Sequence, residues 1–144
     1  GIYVIAATNY PERIDKAVLR TGRIDEMVYI DMPDMEARKS LFALELSKLP
    51  TEGNIDTTHL SELTNGYNCS DISYIVKSAA RKKFNETIND PEGKKYGITQ
   101  DVLEEIIATR NPSVTARSLR EYERVRSEFS PKDKGLKPVT IGFR

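Results

Sequence analysis

Apolar residues recur along most of this chain at helical spacing. The clearest stripe is Ile72, Ile75, Val76, Ala79, Ala80 and Phe84, separated by 3, 1, 3, 1 and 4 positions. Lys77, Arg81, Lys82 and Lys83 lie mainly beside or opposite it. The pattern predicts a long helix from an N-cap at Ser70 to about Ile88. Upstream, Asp34 is placed to cap a helix reaching about Lys48 through Leu41, Phe42, Leu44 and Leu46, ended by Pro50, Gly53 and Asn54. A short helix from Thr57 or Thr58 carries Leu60 and Leu63 and stops at Asn65-Gly66. Thr99 precedes Val102, Leu103, Ile106 and Ile107. Thr115 precedes Leu119, Tyr122, Val125 and Phe129, giving two further amphipathic helices.

Two stretches depart from that spacing. Ile2 to Ala7 is apolar at consecutive positions and rich in β-branched residues, as suits a strand buried on both faces of a parallel sheet. Met27 to Asp31 reads as a second strand. Between them Thr8-Asn9-Tyr10-Pro11-Glu12 is turn-forming, and Asp15 is placed to cap a short helix through Arg20 that Thr21-Gly22 ends. Two short strands do not make a stable sheet. Together with an opening on Gly1, without an initiator Met or a charged leader, this leads us to expect a piece of a longer polypeptide whose first 33 residues lack their strand partners.

The expected fold is therefore mostly α. An incomplete α/β remnant spans 1–33, a helical bundle 34–129 and a tail 130–144; the tail, with two Pro, two Gly and four basic residues, is expected to be mobile unless a partner orders it. Composition narrows the function classes. The 22 basic residues balance 22 acidic ones, so there is no global pull toward nucleic acid. No apolar run approaches the roughly 18 residues of a spanning helix, and no membrane partner is expected. The one cysteine excludes an internal disulfide and fits a reducing, cytoplasmic setting. Cys69 reads best as a small buried hydrophobe, since no partner Cys or His lies nearby, and His59, near the start of a short helix, as a surface residue.

The stretch richest in candidate chemistry runs from Ala7 to Asp25. A polar residue just past a buried strand is where open α/β sheets place their sites, and Asn9 can orient a water beside a phosphate. Arg20 and Arg23 stand three apart across Gly22, a spacing that presents two guanidinium groups to one anion. Taken singly, each also reads as a loop-stabilising Asn or a solvated Arg.

The ordered combination is more specific. Ala7-Thr8-Asn9, then Asp15, then Arg20-Thr21-Gly22-Arg23-Ile24-Asp25 resembles the second region of homology of AAA ATPases, nearly position by position over residues 5–34. Lys16 and Thr21 stand where that family has Pro. The resemblance implies that Asn9 is sensor 1, beside the γ-phosphate or attacking water. It also implies that Arg20 and Arg23 are arginine fingers reaching into a neighbouring subunit's nucleotide site. Thr64-Asn65-Gly66-Tyr67-Asn68-Cys69-Ser70-Asp71-Ile72 resembles the segment of the helical lid that backs onto adenine and ribose, with Cys69 and Ser70 replacing a Gly-Ala pair. By the same resemblance Leu41 packs on adenine, and Glu45 stands where valosin-containing members carry a nucleotide-contacting His. Pro112 to Glu123 is similar to the lid's end in the valosin-containing and cell-division-cycle type, with Ser118 in place of an Asp.

These resemblances imply part of an ATP-hydrolysing hexameric ring of identical subunits that unfolds, extracts or remodels protein substrates, with adaptors. ATP and Mg²⁺ would be its cofactors. The chain has no G-x-x-x-x-G-K-[ST] phosphate loop and no apolar strand ending in Asp-Glu. Alone it is expected to hydrolyse no ATP and to hold neither cofactor, and no resident metal site is expected. The alternative reading is a free-standing helical module that binds protein or nucleic acid without nucleotide chemistry.

Overall fold

The computed structural model describes residues 1–20, 22–24 and 26–129. The tail at 130–144 lies outside them. Five α-helices form among the described residues: α1 (Met35–Leu46), α2 (Thr57–Leu63), α3 (Cys69–Asn89), α4 (Gln100–Ala108) and α5 (Ala116–Phe129). The mostly helical fold agrees with the sequence pattern, while the start of α3 differs in detail.

Asp34 caps α1 as expected, its Oδ1 accepting from the Ala37 amide at 2.8 Å. Helix α2 starts at Thr57, one of the two starts expected, with Asp56 as its N-cap. Asp56 Oδ1 accepts from the amides of Thr58 and His59 at 2.9 and 3.0 Å, leaving both threonines near the helix start. Helix α3 is capped by Asn68, not Ser70. Asn68 Oδ1 accepts from the Asp71 amide at 2.8 Å, and Asp71 Oδ2 accepts from the Asn68 amide at 3.2 Å. That reciprocal box satisfies two otherwise orphaned donors, which Ser70 one residue into the helix cannot do.

The apolar faces of α1 to α4 meet in one core, where Phe42, Leu60, Ile72, Ile75, Val76 and Leu103 are wholly or almost wholly out of water. The predicted stripe of α3 is buried only through its first half; Phe84, at its end, is 63% exposed. At about 1.5 Å per residue, the 21-residue α3 is far longer than the 12-residue α1 and 9-residue α4 that pack on it. Its last turns therefore outrun their cover.

Two polar devices fasten this core. Arg38, 5% exposed on α1, donates from Nε and Nη2 to the Ser61 carbonyl at 3.2 and 3.0 Å, and from Nη1 to the Pro33 carbonyl at 2.9 Å. The second is an isolated parallel bridge between Thr51 and Ile98, in which Ile98 donates to Pro50 and accepts from Glu52, each at 2.9 Å. Gly97 makes that approach possible. A Cβ there would lie 2.7 Å from the Thr51 carbonyl carbon and 2.8 Å from the Glu52 nitrogen, both backbone atoms. Gly97→Ala is accordingly expected to destabilise the chain by about 2 kcal/mol in urea unfolding, through a clash that no side-chain rotation relieves.

The described residues divide into two compact units, one of 31–115 and another of 1–30 with 116–129. The sequence pattern joins α5 to the helical bundle, whereas the structure groups it with the N-terminal residues. In that second unit Val125 is buried and the Arg126 guanidinium lies 5.5 Å from the Tyr29 ring centre. Neither expected strand forms. Ile2, Tyr3, Val4 and Ile5 are 94, 94, 77 and 95% exposed, because no described neighbour offers them a hydrogen-bonding ladder. The short helix expected after Asp15 is a turn instead. Asp15 receives the Ala17 amide on Oδ1 and the Val18 amide on its carbonyl, each at 2.8 Å, and five residues are too few to repay helix nucleation.

Candidate functional site

The four residues expected to face a nucleotide come from two helices of the 31–115 unit. Leu41 and Glu45 are one turn apart on α1, and Cys69 and Ser70 open α3. A hydrogen bond ties the two helices at this point, the Ser73 hydroxyl donating to Glu45 Oε1 at 2.7 Å. Leu41 is half-buried against the core. Beside the bond from Ser73 to Glu45, an open groove of about 450 Å³ is lined by Cys69, Ser70, Ser73, Tyr74 and Lys77, and Leu41 is not part of that lining.

Cys69 corrects the sequence reading. It is exposed and free, because capping by Asn68 puts it at the first helical position on the solvent side. Ser70 is likewise exposed. Ser73, Tyr74 and Lys77 were not singled out from the sequence, although steps of three and four from Ser70 along a helix select that face. Small side chains at 69 and 70 leave the groove mouth open. Its lining offers hydroxyl donors and acceptors from Ser70 and Ser73 and a cation from Lys77.

The N-terminus of α3 is anchored from behind. Asp71, 3% exposed, accepts on Oδ2 from the Ser113 amide at 3.1 Å and the Ser113 hydroxyl at 2.9 Å, while Asn68 Nδ2 donates to Ser113 Oγ at 2.8 Å. Tyr67 adds a bond from its hydroxyl to the Arg110 carbonyl at 2.7 Å. Burial, then the nearby Asp71 carboxylate, pushes the Tyr67 phenol above its usual range, so it stays a donor. The groove thus sits on a braced helix end.

The other candidates lie in the 1–30 unit. The Arg23 amide donates to the Arg20 carbonyl at 3.1 Å, closing a turn in which Gly22 takes φ +86°. A residue without Cβ is favoured there. Arg20 and Arg23 therefore stand at the two corners of one turn, both exposed. Arg23 Nη1 also donates to the Ala17 carbonyl at 2.8 Å. Asn9 is exposed on a separate turn, which the Tyr10 amide closes onto Thr8 Oγ1 at 3.0 Å.

His59 is a surface residue, as read from the sequence. Its Nδ1 lies 3.8 Å from Glu62 and its Nε2 3.6 Å from Glu104. Among the described residues no group of three His, Cys, Asp or Glu side chains is placed to hold a metal ion. No helix among them is long and apolar enough to cross a membrane.

No protein-family profile matches the chain. Individual relatives do. The chain is 33% identical over 136 residues, 89% of its length, to the "Cell division cycle protein 48 homolog" of Archaeoglobus fulgidus. It is 35% identical over 122 residues, 85% of its length, to "Cell division protein C" of Sulfolobus acidocaldarius. A third relative, the "Putative cell division cycle ATPase" of Plasmodium falciparum, is 38% identical over 88 residues, 61% of the chain. The chain spans 19, 32 and 7% of the lengths of these three proteins respectively. With the helical fold, these matches make the chain similar to a segment of the cell-division-cycle AAA ATPases.

Proposed function

We propose that the chain supplies sensor 1, the arginine fingers and the helical lid of an ATP-hydrolysing ring that remodels, unfolds or extracts proteins. In this reading Asn9 orients the attacking water, and Arg20 and Arg23 reach a neighbouring subunit's phosphates. Leu41, Glu45, Cys69 and Ser70 receive the adenine and ribose, and the 31–115 unit is the body that turns with nucleotide state. ATP and Mg²⁺ are the cofactors of the whole protein. The phosphate loop and magnesium-binding strand, absent from these 144 residues, come from elsewhere in it. Identical subunits in a hexamer, protein substrates and adaptors are its partners, in the cytoplasm.

The observation that supports the reading is the bond from Ser73 to Glu45 at 2.7 Å, which sets α1 against the end of α3 where Cys69, Ser70 and Ser73 line an open groove. Filling the groove tests it. Ser70→Phe in the full-length protein is expected to weaken binding of a fluorescent ATP analogue about tenfold or more while circular dichroism stays unchanged. Unaltered nucleotide affinity in a folded variant overturns the reading of the groove.

A further inference from the structure

Helix α3 carries four cationic side chains in its middle, and they divide into two kinds. Lys82 and Lys83 are spent within the fold, on Glu105 at 2.6 Å and Glu86 at 2.8 Å. Lys77 and Arg81 are exposed and form no ion pair among the described residues. They belong to a second stripe on α3, separate from the core-facing one. Tyr74, Lys77, Arg81, Phe84 and Ile88 follow one another at steps of 3, 4, 3 and 4, the spacing of a helix–helix seam.

The apolar members of this stripe are open to water, Tyr74 by 45%, Phe84 by 63% and Ile88 by 61%. Exposing two large apolar side chains one turn apart has no stabilising return within the fold. The Arg110 guanidinium stacks 3.8 Å from the centre of the Tyr74 ring, adding a third cation at the stripe's N-terminal end. The field there is positive. The Ser78 hydroxyl first, then the Arg110 and Arg81 cations, hold the Tyr74 phenol below its usual range.

We infer that the Tyr74-to-Ile88 face of α3 docks an acidic amphipathic helix of a partner protein. Apolar side chains of that helix cover Phe84 and Ile88, and its carboxylates meet Lys77 and Arg81. From residue 74 to residue 88 the seam is about 21 Å long, four turns of a docked helix. Charge argues against the other occupants. A second copy using the same face would set Lys77 and Arg81 against themselves. The chain's own tail carries four basic residues against one acidic, so it is repelled as well. Three cations are too few for a polyanion surface, whose binding rests on many phosphate contacts.

The seam shares Tyr74 and Lys77 with the groove, but Arg81, Phe84 and Ile88 lie outside the groove lining, so variants there test docking separately from the nucleotide reading. The test uses two synthetic 20-residue helix-forming peptides with the same leucine seam, one flanked by Glu and one by Lys. Titrated into the 144-residue chain at low salt, the Glu peptide is expected to bind with a Kd of about 50 µM, and the Lys peptide at least about tenfold more weakly. Arg81→Glu, which leaves Lys77 and Arg110, should narrow that preference several-fold. Phe84→Ser should weaken the Glu peptide about fivefold with unchanged helicity, because both positions are solvent-facing. Equal binding of the two peptides, or no binding below about 1 mM, overturns the proposal. So does tighter binding to phosphatidylserine vesicles or to a single-stranded RNA than to the Glu peptide, and so does a sedimenting dimer that Arg81→Glu stabilises.

Discussion

Alanine at Arg23 is expected to lower ATP turnover of the full-length protein about 10³-fold, with ATP affinity changed far less. The argument begins with the turn. Arg23 is held to the Ala17 carbonyl through Nη1 at 2.8 Å and to the Arg20 carbonyl through its amide at 3.1 Å. One of its five guanidinium hydrogens is thereby spent on placing the side chain, and the others stay free for a phosphate. Developing charge on a transferred phosphoryl group is where such a cation gains most, so the loss should appear in kcat and not in KM. Arg20→Ala should act in the same direction, since both arginines leave the corners of one turn. Lysine at Arg23 should recover little, because a point charge cannot reproduce the planar fork. Mixed rings distinguish a finger from a residue acting within its own subunit: adding Arg23→Ala subunits to wild-type ones should silence the wild-type active sites next to them. Turnover within about twofold of wild type in the double variant would overturn the finger assignment.

The second large effect concerns folding. Arg38→Leu is expected to destabilise the 31–115 unit by about 3 kcal/mol in urea unfolding, and Arg38→Lys by about 2 kcal/mol. The guanidinium is out of water, and burial lowers its pKa from the ordinary arginine value despite the nearby Asp34 charge. What keeps it charged and buried is the fork of two bonds to Ser61 and one to Pro33. Leucine leaves two carbonyls without those donors, and one of them ends α2. Lysine keeps the charge but cannot span both carbonyls from one planar group. A loss under about 1 kcal/mol for Arg38→Leu would show that water replaces the fork without penalty.

Neither of those features was equally legible in the sequence. Arg20 and Arg23 stood out because their spacing around Gly22 is local, and turn chemistry is written within a few residues. Arg38 did not, since its acceptors Ser61 and Pro33 are carbonyls whose positions follow only from how α1 and α2 pack. Gly97 was missed for the same reason. The space it must leave empty is defined by Thr51 and Glu52, far away in sequence. The four helices of the 31–115 unit were readable from periodicity, because each buries one continuous face. The cap of α3 was less so: Asn68 competes with the neighbouring Ser70 for the same amide donors, and the winner depends on backbone angles. The two strands failed differently. Ile2 to Ala7 has the composition of a strand, but a strand is a relation between two backbones and the described residues supply only one.

In the groove, Cys69 and Ser70 were found through resemblance and Cys69 was assigned the wrong environment. Asn68, as the N-cap, sets Cys69 at the first position of α3, where the packing of this helix leaves it exposed. Ser73 was within reach of the sequence. Its bond to Glu45 was not, because it requires the register of α1 against α3.

The bridge between Thr51 and Ile98 also constrains the order in which the unit assembles. The paired positions are separated by 47 residues, and closing so long a flexible loop costs on the order of 3 kcal/mol or more in chain entropy. Its two hydrogen bonds return about 1 kcal/mol each, so the bridge cannot be an early event. It can form only after α2 and α3 have condensed against α1 and shortened the distance. It then acts as a latch on α4, whose docking should be the last step of folding and whose release should be the first step of unfolding.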